Sequence, residues 1–427
     1  MQLSNQPPKG TADWLPEEFK IRKYIFDTWR KVCESFGYEE YLTPIVESAE
    51  IYRAKSGEDV GGKELMTMVD RGGRELAIRP EMTPSVTRMV SRQYGAVAKP
   101  IRYFSIANFL RNENPQRGRN REFWQLNADI FGSDSVNADI EVLQLALEIM
   151  LAFNPPKDSF ALTLNHRLLI DAVLVVALSG DSSIERREVV RLLDKWEKIP
   201  PDGMAEMLQK IGVEPNGVDV LQKFMTSETV DELLNKLPWL SENDGLKQVQ
   251  AIVKKLQELG YADWVRFQPN IIRGFDYYDG MVFEVFDRHP DNNRAMFGGG
   301  RYNGLASLFG GQAFPAVGFA PGDETTRIFL ESWGLLDQVR TQKTETRVFI
   351  PLLTEQAEGK VAELAAQLRK RGQKVLVGLE IQKIGKAIEL GDKLGVGQVI
   401  ILGEDELQKG VYVVKEMQSG EQTEVKL

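Results

Sequence analysis

The chain holds one cysteine, Cys33, and two histidines, His166 and His289, among 427 residues. A single thiol closes no internal disulfide, and one cysteine with two scattered histidines is poor material for zinc. Neither histidine stands beside a paired nucleophile in sequence, so neither is given a catalytic role. No apolar run is long enough to cross a bilayer, and the opening stretch MQLSNQPPKGTADWLPEE lacks the apolar core of a secretory signal. A cytoplasmic protein with no membrane partner is the expectation. Basic residues are outnumbered, giving a net charge of −9. This argues against nucleic-acid binding over the whole surface while leaving room for a local basic face.

What is present is ordinary in bulk: 42% apolar and 27% charged residues, in a chain long enough for two or three domains. Apolar side chains at helical spacing predict a helix over 17–36, with Gly37 as the stop and Cys33 as a small buried residue on its inner face. A short extended segment, Tyr41 to Val46, carries Pro44, which favours an edge or an interface. Strands are predicted at 65–69 and 75–79, and a helix at 83–93. The stretch Ile101 to Gly132 reads as a hairpin and is followed by a helix at 138–151. Further strands at 159–164, 281–286 and 315–320 complete a mostly antiparallel sheet with helices to one side, an α+β core formed by residues 1–167 and 263–335. Residues 168–262 are rich in helix formers and read as a helical insertion. From 345 to 427, strands alternate with helices and predict a separate α/β domain with some parallel pairing. Its charge is balanced, twelve Lys plus Arg against twelve Asp plus Glu over 347–427, so any RNA contact there rests on a patch.

The hairpin carries most of the chemistry. Its loop holds Arg111, Arg117, Arg119 and Arg121 against Glu113 and Glu122, a cluster of guanidinium forks suited to phosphate oxygens; paired with nearby carboxylates, the same loop is a solvated tip. Three other segments have similar character. Glu81 leaves a strand through Arg79-Pro80, in a turn that could hold an ammonium group or cap a helix. The run RGFDYYDGMVFEVF places Arg273, Tyr277 and Tyr278 before an apolar strand, with the two tyrosines on opposite faces if extended. Gly298-Gly299-Gly300-Arg301-Tyr302 permits close backbone approach to a flat or anionic ligand, without the spacing of a P-loop.

Taken together, LRNENPQRGRNREFWQLNADIFG, RGFDYYDGMVFE, GGGRYNGL and ILGEDELQKGVYVVKEMQSGEQ resemble the motifs of the class II aminoacyl-tRNA synthetases, and within them the histidyl-tRNA synthetases. The resemblance runs from Lys9-Gly10-Thr11 to the last strand. It implies a six-stranded antiparallel catalytic core, a C-terminal anticodon-binding domain and a homodimer with an interface around Pro44. It also implies ligation of histidine to tRNA(His) through an adenylate, with ATP as substrate and Mg²⁺ on its phosphates. By position, Arg111 would hold the ATP α-phosphate and Glu113 lie near the adenine, while Arg273 would act on the α-phosphate and carboxylate. Glu81 and Gln125 would take the α-amino group, Asp129 with Tyr278 the imidazole, and Tyr277 and Tyr302 would complete the histidine site. Gln116, Arg117, Arg119 and Arg121 would meet the tRNA acceptor end.

Three positions depart from the family pattern. Asp129 stands where glutamate is usual, and Trp124, which reads as packing, where histidine is usual. Gap-free matching of the third motif, Pro321-Gly322-Asp323-Glu324-Thr325-Thr326-Arg327, puts Thr325 at the position of the ATP-binding arginine. Two residues along a helix is about 200° of rotation, so Arg327 reaches the phosphates only if the helix begins later or in another register. That register is the expectation. The competing reading is a non-catalytic, histidine-sensing regulatory subunit of histidine biosynthesis.

Overall fold

The computed structural model describes residues 3–54, 62–179, 184–272, 278–292, 294–310, 312–341 and 347–427. Two compact units divide the chain, Met1–Arg340 and Thr341–Leu427.

In the first unit, the helix predicted over 17–36 is α1, Pro16–Ser35. Pro16 fits its first turn, Glu17 and Glu18 complement the helix dipole there, and Gly37 ends it at φ +76°. Its inner face buries Ile25, Phe26, Trp29 and Cys33, and burial pushes the Cys33 thiol up, an inert packing role. Strand β1, Glu39–Glu40, follows, and β2 covers only Val46–Ser48. The extended segment expected at 41–46 is therefore corrected: Tyr41 to Ile45 form no ladder, and Pro44 sits in that connection. After α2, Ala49–Arg53, strands β3, Met66–Val69, and β4, Glu75–Ile78, complete a small antiparallel sheet in the order β2-β4-β3. Helix α3, Thr83–Gln93, leads to the long hairpin of β5, Ile101–Leu110, and β6, Glu122–Phe131.

The main sheet is completed by β7, Phe160–His166, β8, Val265–Phe267, β9, Met281–Asp287, β10, Arg294–Arg301, and β11, Ala316–Phe319. Its order is β1-β5-β6-β11-β10-β9-β7-β8, with six central antiparallel strands and a parallel partner at each edge. Between β6 and β7 runs α4, Val136–Leu151.

Strand alternation sorts the hairpin into two faces. Leu126, Ala128 and Ile130 of β6 and Phe104 of β5 join α1 and α4 in the larger core, whereas Ile101, Ala107, Phe109 and Phe131 pack with Met82 and Val86 on the other side. The second face interrupts its apolar residues with a polar row, Gln125, Asn127 and Asp129. That row positions the site.

Between β7 and β8 the chain is helical: α5, Arg167–Ala177, α6, Arg186–Leu193, α7, Pro201–Lys210, α8, Pro215–Met225, α9, Val230–Lys236, and α10, Asp244–Leu256. Leu169, Val173, Leu221, Val249 and Ile252 from these helices belong to the same hydrophobic core as Phe160 and Leu162 of β7. His166 caps α5, its Nδ1 accepting the Leu168 N–H at 3.1 Å, and burial pulls its ring down to about 4. It is therefore a neutral structural acceptor. The unit closes with α11, Asp323–Ser332, and α12, which begins at Asp337.

The second unit contains β12, Arg347–Leu352, α13, Glu358–Lys370, β13, Lys374–Ile381, α14, Ile384–Lys393, β14, Gln398–Ile401, α15, Glu404–Lys409, β15, Val411–Glu416, and β16, Gln422–Lys426. Its sheet order is β13-β12-β14-β15-β16, parallel in the first three strands and antiparallel in the last two. Val348 and Ile350 face α13, while Phe349 packs on the opposite side with Ala387 of α14. Among the described residues no helix is long and apolar enough to cross a membrane.

Candidate active site

The hairpin loop and the start of α11 enclose a cavity of about 350 Å³. Glu64, Arg111, Glu113, Arg119, Phe123 and Gln125 line one side, and Met296, Phe297, Ala320, Asp323, Glu324 and Thr325 the other. Arg111 is held by two contacts: its Nε donates to the Pro80 carbonyl at 3.0 Å, and its guanidinium lies 5.2 Å from the Phe123 ring. Arg121 turns inward instead, donating to the Glu113 carbonyl at 3.0 Å. Gln116 and Arg117 stay exposed at the tip, where Arg294 of β10 donates to the Arg117 carbonyl at 2.9 Å.

Gln125 marks the inner end of the cavity, its amide donating to the Ala320 carbonyl at 3.2 Å. Four residues further along β6 lies Asp129, 4% exposed, accepting the Tyr302 hydroxyl at 2.5 Å. Burial pushes the Asp129 carboxyl up to about 7, and the Tyr302 hydrogen bond offsets part of that rise. Tyr278 borders the same region. Burial pushes its phenol up, and the Glu81 and Asp129 carboxylates push it further. Arg273 and Tyr277 lie outside the described residues.

The glycines of GGGRY lie toward the end of β10, in a strand that the sequence analysis did not predict. They are required by packing. A Cβ on Gly300 would come within 2.8 Å of the Tyr278 ring, and one on Gly299 would overlap β11. On β11 itself, Gly318 pairs with Asp129, and a Cβ there would overlap the Asp129 Oδ1. Gly318 is a site residue that the sequence reading missed, although a glycine inside the apolar strand AVGF signals close approach. Arg301 is structural, its Nε donating to Asp139 at 3.0 Å.

The third motif is corrected most. Helix α11 begins at Asp323, not later, so Thr325 faces the cavity and its hydroxyl donates to the Met296 carbonyl at 3.1 Å. Arg327 does not line that cavity; it pairs with Glu324 at 2.7 Å and Glu331 at 2.7 Å. Arg22 of α1 grips the same turn, lying 2.5 Å from Glu324 and 3.3 Å from Asp323. Burial pushes the Asp323 carboxyl up to about 6 against the pull of Arg22, while for Glu324 the two guanidinium partners outweigh burial and hold it below its ordinary value. Nothing local in the sequence announces Arg22, whose partners lie some three hundred residues away. Trp124 packs on Phe26 with ring centroids 5.3 Å apart, and its backbone N–H donates to the Asp323 carboxylate at 3.0 Å.

Comparison with known proteins agrees with this architecture. The family model described as Histidyl-tRNA synthetase matches residues 10–323, and that described as Anticodon binding domain matches 347–427. A Histidine--tRNA ligase of Leptospira biflexa serovar Patoc is 40% identical over 422 residues, covering 99% of this chain and 95% of the relative. One from Pyrococcus furiosus is 36% identical, covering 98% and 96%. A solved histidyl-tRNA synthetase from Nostoc sp. PCC 7120 superposes with a TM-score of 0.78 at 24% identity, covering 100% of this chain and 97% of that one, a likeness of fold. With its hairpin cavity, the polar row that ends on the buried Asp129 and a family match over most of its length, the chain belongs to the histidyl-tRNA synthetases.

Proposed function

We propose that this chain activates histidine with ATP and transfers it to tRNA(His). A histidine carboxylate oxygen attacks the ATP α-phosphorus, the bond to the bridging oxygen breaks, and pyrophosphate leaves. The terminal ribose hydroxyl of the tRNA then attacks the activated carbonyl, and AMP leaves. The observation carrying this reading is the continuous row from the Arg111 cavity through Gln125 to Asp129. It offers a place for phosphate, ammonium and imidazole in the order that histidyl-adenylate presents them. No side chain need act as nucleophile, because positioning and charge stabilisation supply the rate.

In this reading Arg111 and Glu113 take ATP, and Arg327 acts at one remove by holding Glu324. Glu81 and Gln125 take the α-amino group; Asp129, Tyr302 and Tyr278 enclose the side chain, with Arg273 and Tyr277 joining from the adjacent segment. Gln116, Arg117 and Arg119 offer exposed donors to the acceptor end. Mg²⁺ would enter on the ATP phosphates and supply charge neutralisation there. An ion carried mainly by phosphate and water needs few protein ligands. Exposed Leu42 and Ile45, which flank Pro44, support a homodimer through that face. Residues 168–262 serve as an insertion, 345–427 read the anticodon, and the cytoplasm is the compartment that supplies these partners.

The test is charging of a tRNA(His) transcript with each of the twenty amino acids. Histidine alone should be esterified; charging with another amino acid, or with none, contradicts the reading. The regulatory alternative draws on Thr325 in place of arginine, but the ligase relatives above, matched over nearly their whole length, do not favour it.

Asp129 also sets a pH dependence. Its ionised form accepts the imidazole N–H, so KM for histidine is expected to fall as pH rises through about 7. Tyr302→Phe removes a donor that favours the ionised carboxylate, so its profile should move to higher pH. Steady-state exchange between about pH 6 and 9 measures both; coincident profiles would exclude Asp129 as the acceptor.

A further inference from the structure

Asn127 stands midway along the row, between Gln125 and Asp129, and belongs to none of the roles assigned above. It is 3% exposed, and its Nδ2 is buried without a hydrogen-bond partner among the described residues. Directly across the hairpin lies Ser105, fully buried and beside the Tyr41 hydroxyl. Buried amide donors are rarely left unmet, and this one shares a sheet face with the carboxylate that accepts from Tyr302. The feature points to a ligand group that accepts a hydrogen bond.

We propose that Asn127 is a specificity residue for the amino-acid side chain. Its amide donates to the imidazole nitrogen that carries no proton, while Asp129 accepts from the nitrogen that does. The proposal rests on the histidine reading of this site. A neutral imidazole presents one donor and one acceptor at opposite sides of a small ring. Residues two apart on a strand are about 6.8 Å apart, a spacing that suits such a ring hydrogen-bonded at about 2.9 Å on each side. An adjacent donor and acceptor in this order fit neutral histidine and leave at least one buried polar group unmet for amino acids that lack the pair.

The experiment compares wild type with Asn127→Ala and Asn127→Ser in ATP–pyrophosphate exchange. Histidine and its two ring N-methyl isomers are the substrates. Asn127→Ala should raise KM for histidine by about ten- to a hundredfold with KM for ATP within about twofold. Wild type should reject both isomers. The alanine variant should improve only the isomer methylated at the nitrogen facing position 127, bound as its imidazolium cation: the methyl fills the space vacated, and the other nitrogen then carries the proton that Asp129 accepts. An unchanged KM for histidine, or equal behaviour of the two isomers, would overturn the proposal. If the alanine variant does not fold, Asn127→Ser carries the same comparison. If wild type performs no exchange, the catalytic reading has failed; histidine and isomer affinities by calorimetry on the same variants then decide the role of Asn127 separately.

Discussion

Arg111→Ala is expected to lower histidine-dependent pyrophosphate exchange by about 10²–10³-fold, with most of the loss in kcat. Nε is committed to the Pro80 carbonyl and the guanidinium plane rests against Phe123, so the side chain is oriented before any ligand arrives. Among the described residues it has no carboxylate partner, unlike Arg327, whose guanidinium is tied to Glu324 and Glu331. A preorganised, uncompensated cation beside Glu113 and Gln125 is where charge developing on a phosphoryl group would be stabilised without reorganisation. Arg111→Lys keeps the charge but loses the fork, and should fall between wild type and alanine. The structural contribution of the Pro80 hydrogen bond is only about 1 kcal/mol, so thermal melting should move by a few degrees at most. A loss of exchange that merely tracks loss of folded protein would remove Arg111 from the mechanism.

Gly318→Ala should be the most damaging change that touches no proposed ligand group. A methyl group on β11 at this point overlaps the Asp129 Oδ1 and would come within 2.7 Å of the Ala128 carbonyl. The carboxylate must swing away, breaking its bond to Tyr302. The expected result is a rise of about a hundredfold or more in KM for histidine, equivalent to losing a charge-assisted hydrogen bond, with ATP affinity little changed. The double variant Gly318→Ala/Asp129→Ala distinguishes mechanism from general strain. If the glycine acts by seating Asp129, the double variant loses no more than Asp129→Ala alone. Additive losses, or an ATP affinity that falls in step, would mean that the strand has simply been disrupted.

These two residues differ in how visible they were before the fold was known. Arg111 lies in a hairpin bounded by two apolar strands, with a loop that concentrates charge, so its place was legible. The strand–helix alternation of the second unit as far as β14, and the central strands other than β10, were legible because local periodicity and tertiary burial agree there. Gly318 and the glycines of β10 were harder to read. A glycine in a strand announces that something lies close, but not that the neighbour is a carboxylate from the adjacent strand. Arg327 shows the opposite failure: the family pattern invited a shifted register for α11, yet Trp124 and Arg22 clamp Asp323 and fix the start of the helix. Both clamps are contacts between distant segments, which no local window contains.

The central claim is that this cavity forms histidyl-adenylate even though Thr325 occupies the third-motif arginine position. ATP–pyrophosphate exchange with purified protein, run with histidine and with each other amino acid, tests it without requiring tRNA. The account predicts exchange with histidine alone, abolished in Arg111→Ala. Histidine binding in a calorimeter with no exchange under any condition would contradict it and assign the chain to histidine sensing.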